Sequence, residues 1–89
     1  MGKEKKDAEG KEVGKATHFY DNISVAVIEL SGTLKVGDTI AVRGHTTNFE
    51  QPVEQMQIEH KEVKSAKKGK SIGLKVQELV REHDTVYKL

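Results

Sequence analysis

A strand-turn-strand corner constrains this chain more than any other feature. Leu34-Lys35-Val36 leads into Gly37-Asp38, and Thr39-Ile40-Ala41-Val42-Arg43-Gly44 leads away. Glycine adopts positive φ without steric cost, so Gly37-Asp38 reads as a turn pair. Beyond it, Ile40 and Val42 alternate with Thr39, Ala41 and Arg43, the period-two pattern of a half-buried strand. The template returns at Val80-Arg81-Glu82-His83-Asp84-Thr85-Val86: apolar, basic, variable, turn residue, Asp, Thr, β-branched. His83 stands where a second turn glycine is expected, and histidine enters the left-handed region only at some steric cost. Two such corners in one short chain predict a small all-β barrel.

The rest of the chain supplies further strands. Val13 to Tyr20 reads as the first, closed by the turn pair Asp21-Asn22. Ile23, Val25 and Val27 occupy one face of the next, and Ala26, Ile28 and Leu30 make the other face apolar too. Such a strand is expected to be the most buried. After Gly44 comes a polar loop or short strand, His45 to Phe49. Pro52 cannot donate to a ladder and marks an edge or a strand start. Met56, Ile58 and His60 share a face, with Val53 out of phase, which predicts a bulge or a late register. Lys61 to Lys70 reads as a charged connection, Ile72-Gly73-Leu74-Lys75-Val76 as a strand, and Thr85 to Leu89 as the last one. Val76, Leu79 and Val80 also fit a short helical turn around Gln77 to Arg81. The expected fold is therefore all-β, a small closed antiparallel β-barrel of about six strands.

Eighty-nine residues permit one domain, and 35% hydrophobic against 33% charged residues leaves a small core. Barrel closure would help such a chain by removing unpaired edges. Residues 1–12 alternate lysines with acids and have almost nothing to bury, so a disordered arm is expected there, with the barrel over 13–89. The net charge of +1 directs nothing towards nucleic acid globally. The absence of cysteine excludes disulfides, a thiolate zinc site and a cysteine nucleophile. No apolar run reaches the roughly 18 residues of a membrane span, and the first residues lack the apolar stretch of a secretory signal. A soluble cytoplasmic protein with no membrane association is the expectation.

Catalytic patterns do not assemble. Gly69-Lys70-Ser71 mimics the end of a phosphate loop, but Lys64 stands where that loop needs its first glycine, and a strand follows instead of a helix. No nucleotide and no cofactor are expected. His18, His45, His60 and His83 lack the spacing of a metal site, and nothing orders Ser24, Ser31, Ser65 or Ser71 against a base. A non-enzymatic chain is expected. The marked local asymmetry is Lys61 to Lys75, where six lysines face the single acid Glu62, a net +5. Lys61, Lys64, Lys67, Lys68, Lys70 and Lys75, extended by Arg43 and Arg81, are candidate RNA-binding residues, since clustered cations neutralise phosphates. A solvated loop that keeps the barrel soluble is the alternative. Phe19, Tyr20, Phe49 and Tyr87, the four aromatics, favour core packing over base stacking.

Taken in order, Leu34-Lys35-Val36-Gly37-Asp38, Ile40 and Val42, Met56-Gln57-Ile58, Ala66 with Gly69, Ile72-Gly73-Leu74, and Val80-Arg81 with Asp84 resemble domain two of the translational GTPases. That domain is the β-barrel after the GTPase domain in elongation factor Tu. The resemblance runs from about Gly14 to Leu89. The opening Gly14 to Tyr20 and the strand Ile23 to Val27 look more like small stand-alone translation-factor-like proteins, and like a similar barrel appended to collagenase-like peptidases. The Gly-rich, Arg-containing stretch of elongation factor Tu is unmatched, with His18-Phe19-Tyr20-Asp21 in its place. What the resemblance implies is contact with tRNA or ribosomal RNA, without an aminoacyl-end pocket. The other function it implies is a protein-interaction module acting with a separately encoded peptidase-like enzyme or GTPase.

Overall fold

A computed structural model describes residues 10–89 and forms an all-β fold, with no helix among the described residues. Two long strands come first, β1 (Lys11–Tyr20) and β2 (Val25–Leu30), joined by the turn at Asp21 to Ser24. The corner contributes β3 (Leu34–Lys35) and β4 (Thr39–Arg43), and β5 (Asn48–Pro52) follows. Three short strands come next: β6 (Met56–Ile58), β7 (Lys61–Val63) and β8 (Ser65–Ala66). The chain ends with β9 (Ser71–Lys75) and β10 (Thr85–Lys88). Lys11 and Glu12, expected in a disordered arm, are strand residues of β1; the arm's residues 1–9 lie outside the described residues.

Eight strands form one antiparallel sheet in the order β5-β4-β10-β1-β2-β9-β6-β7, and β3 pairs β8 in a separate two-stranded ribbon. The outer strands β5 and β7 are not hydrogen-bonded to each other. The expected closed barrel of about six strands is thus corrected to an open, curled eight-stranded sheet. Two short strands, β7 and β8, were hidden in the lysine-rich connection, where alternation over two or three residues carries no readable period. A side chain crosses the gap instead of a ladder. Buried Gln51, on edge strand β5, donates from Nε2 to the Lys75 carbonyl at 2.9 Å, and its Oε1 accepts from the Gln77 N–H at 2.8 Å.

Both corners form as the sequence indicates. Gly37 has φ of 102° and His83 has φ of 76°, so histidine does take the left-handed position. In each corner the aspartate carboxylate accepts the backbone N–H three residues earlier, Lys35 at 2.9 Å and Arg81 at 2.8 Å. The second corner is tied to β1, where Ala16 N–H donates to the Asp84 carbonyl and His83 N–H to the Ala16 carbonyl, both at 2.8 Å. No helical turn forms at Gln77 to Arg81. Backbone donors that a helix would use are committed elsewhere: Val76 to the Ser24 carbonyl, Gln77 to Gln51 and Arg81 to Asp84.

The core lies inside the curl. Val13 and Ala16 of β1, Ala26, Ile28 and Leu30 of β2, Leu34, Ile40, Val42, Met56, Ile72, Leu74, Val80 and Val86 are buried there together. Pro52 ends an edge strand, as expected from its missing donor. Val53 is buried in the connection between β5 and β6 and caps the corner, donating to the Asp38 carbonyl and accepting from Gly37 N–H. Among the described residues no helix is long and apolar enough to cross a membrane.

Candidate protein-interaction surface

The lysine-rich segment spreads over several elements. Lys61 lies on edge strand β7, Lys64 links β7 to β8, and Lys67 and Lys68 sit with Lys70 on one turn around Gly69. Gly69-Lys70-Ser71 is that turn leading directly into β9, with Lys70 N–H donating to the Lys67 carbonyl at 3.2 Å. Lys75 is at the other end of β9, about 16 Å from Lys70 at the rise of an extended strand. Arg43, at the end of β4, pairs with Glu50 at 3.1 Å and donates to the Phe49 carbonyl. Arg81 sits at the second corner, exposed. The structure thus brings Lys67, Lys68 and Lys70 together and separates them from Lys75 and Arg43.

A different surface emerges on the outside of the sheet. Across the pairing registers Tyr20 stands opposite Val25, which stands opposite Lys75. His18 stands opposite Val27, which faces Gly73, which in turn faces Gln57. Because paired residues share a sheet face, all of these project outward, away from Ala26 and Ile28. His18 and Tyr20 stack along β1, with ring centroids 6.2 Å apart and planes 13° apart. Tyr20 is 49% and Ile23 52% exposed, and Val25 and Val27 are half-buried. Expected to be the most buried strand, with both faces apolar, β2 is fully covered on one face only.

A groove of about 260 Å³ opens on this face, lined by Ile23, Val25, Gln55, Gln57, Gly73 and Lys75. Gly73 forms its floor. A Cβ there would stand 3.4 Å from the Val25 Cγ1, so the missing side chain is what leaves room over the strand. The Lys75 ammonium donates to the Ile23 carbonyl at 3.0 Å, and Ile23 N–H donates to the Tyr20 carbonyl at 3.3 Å. The adjoining Ser24, at φ of 55°, accepts from Val76 N–H. An exposed isoleucine is therefore held on a turn fixed from both sides. Alkyl, amide and ammonium groups line the groove; they suit binding rather than bond-breaking.

Sequence reasoning missed this surface, although its signal was present. A strand apolar on both faces, in a chain with so few apolar residues, needs a second layer the chain cannot supply. One face had to remain outside.

Comparison with known proteins places the fold. No family model matches the chain. It is 52% identical over 79 residues to an uncharacterized protease of Methanocaldococcus jannaschii, covering 88% of this chain and 19% of that protein. It is 38% identical over 78 residues to a collagenase of Porphyromonas gingivalis, covering 85% of this chain and 22% of the collagenase. The chain thus spans about a fifth of the length of these curated relatives. Among solved structures, the C-terminal domain of a candidate U32 peptidase of Geobacillus thermoleovorans superposes with a TM-score of 0.84 at 18% identity, covering 89% of this chain and 92% of that domain. The likeness is to a piece of peptidase-like proteins.

These relatives overturn the translation-factor reading. The all-β class read from the strand patterns holds, but the sequence relatives are a protease and a collagenase, and nothing in their names carries translation, ribosome or RNA binding. Of the two functions the resemblance implied, the peptidase-associated module is the one they favour.

Proposed function

We propose that this chain is a non-catalytic module that docks onto a peptidase-like protein through the outer face of β1, β2 and β9. The observation that carries the proposal is the 52% identity across 88% of the chain to a protease of which it matches only 19%. The outer face supplies a chemical basis: Tyr20, Ile23, Val25 and Val27 form an apolar strip beside a groove, on backbone fixed by the sheet. Burial of such side chains drives association, and a rigid patch loses little entropy on binding.

The test uses the Methanocaldococcus jannaschii protease with its matching fifth deleted. The 89-residue chain should bind that truncated protease in trans, measured by calorimetry. Ile23→Glu should weaken binding about tenfold, the equivalent of withdrawing one partly exposed aliphatic side chain. Equal binding by the parent chain and the Ile23→Glu variant removes the surface from consideration, and no binding at all removes the proposal.

A further inference from the structure

The groove beside Ile23 is lined by polar as well as apolar groups, and the two together specify a ligand. Lys75 brings an ammonium to the groove, and Gln55 and Gln57 bring amides; its lining contains no carboxylate. The ammonium's one partner among the described residues is the Ile23 carbonyl, a neutral acceptor at 3.0 Å. That bond uses one of three donors, leaving two with no acceptor among the described residues. The ion pairs of Arg43 with Glu50 and of Lys88 with Asp38 lie elsewhere in the fold. Lys75 is thus a positioned cation in a groove that Ile23 and Val25 line with alkyl groups, with Gly73 keeping it clear.

From this we infer that the groove takes an extended acidic peptide segment, a glutamate or aspartate flanked by large aliphatic residues, from the docking partner. The inference rests on the docking proposal above and adds the chemistry of the partner. The carboxylate accepts from Lys75, and the Gln57 amide pairs with the peptide backbone. A flanking aliphatic side chain lies against Ile23 and Val25. Charge selects the partner here: a lysine-bearing segment would bring like charges together, and a glutamine would give up the charge assistance of the bond.

The experiment titrates the isotopically labelled 89-residue chain with the blocked peptides acetyl-Thr-Leu-Glu-Leu-Thr-amide and its Gln and Lys counterparts, following amide shifts by NMR. The Glu peptide should move the amides of Ile23, Val25, Gln57 and Gly73. It should bind about fivefold more tightly than the Gln peptide, the size of a partly exposed ion pair. Lys75→Gln should erase that preference, and Lys75→Arg should retain it. Shifts confined to other regions, or equal affinity for the Glu and Gln peptides, overturn the inference. The two proposals fail separately. An Ile23-dependent complex with the truncated protease, together with equal affinity for the Glu and Gln peptides, sinks acid recognition alone, whereas absence of that complex sinks the docking reading itself.

Discussion

Asp38 and Asp84 each fold a carboxylate back onto the backbone three residues earlier, and the space around the two differs. Asp84 is 4% exposed, and Gly44 lies so close that a Cβ there would overlap its carboxylate. An alanine at Gly44 must push Asp84 from the Arg81 N–H or displace the end of β4. Gly44→Ala should therefore cost about 1–3 kcal/mol, the usual penalty of overpacking, read as a lowered urea midpoint with unchanged m-value. At the other corner Gly37 has nothing within 4 Å, so only its φ of 102° resists a side chain. His83 already tolerates the equivalent strain at φ of 76°. Left-handed geometry costs a non-glycine residue about 1–2 kcal/mol, part of which glycine returns as chain entropy. His83→Gly should thus stabilise the fold by about 0.5–1 kcal/mol, raising the midpoint by a few degrees in a thermal melt.

At the scale of strands, the notable device is how the open sheet is held curled. Edge strand β5 has no ladder partner beyond β4, yet Gln51 reaches the end of β9 with both ends of its amide. Gln51→Met keeps the volume and removes both bonds, leaving the Gln77 N–H and the Lys75 carbonyl without that partner. Each unpaired group costs about 1–3 kcal/mol, so a loss of about 2–6 kcal/mol is expected by denaturant titration. Hydrogen exchange at Gln77 should accelerate by more than the global loss accounts for, because the bond lost there is local. None of this was legible in the sequence. Gln51 sits in a polar stretch, and its partners lie 24 and 26 residues away. Local patterns were legible: the Thr39 to Arg43 strand was read to the residue, and the Asp38 and Asp84 corners were read by template. What failed depends on tertiary context. Short β7 and β8 lack a period of their own, and Val76, Leu79 and Val80 show helical spacing whose backbone donors are taken by other segments.

For the whole molecule, the question is which charges matter to a partner. Lys67, Lys68 and Lys70 cluster on a turn at one end of β9, whereas the apolar strip and Lys75 gather around the other. With the Debye length near 10 Å at 0.1 M salt, a charge at Lys70, about 16 Å along β9 from Lys75, adds only weakly to what a partner at Lys75 feels. Reversing Lys67 and Lys68 to Glu changes the formal net charge from +1 to −3, four units for two substitutions. If docking followed overall charge, such a change would shift affinity strongly and with a steep salt dependence. Docking through the outer face requires the opposite: the Lys67→Glu/Lys68→Glu variant should bind the truncated protease within about twofold of the parent chain, as expected for rim charges outside the contact. Only the Lys75 contribution should fade with salt, so raising sodium chloride should weaken the parent complex by no more than about fivefold, the share of one exposed ion pair. Calorimetry of both proteins at two salt concentrations checks this. A large loss in the double variant would move the interface to the lysine turn, and a flat response with an intact Ile23 effect would fix it on the strip between β1 and β9.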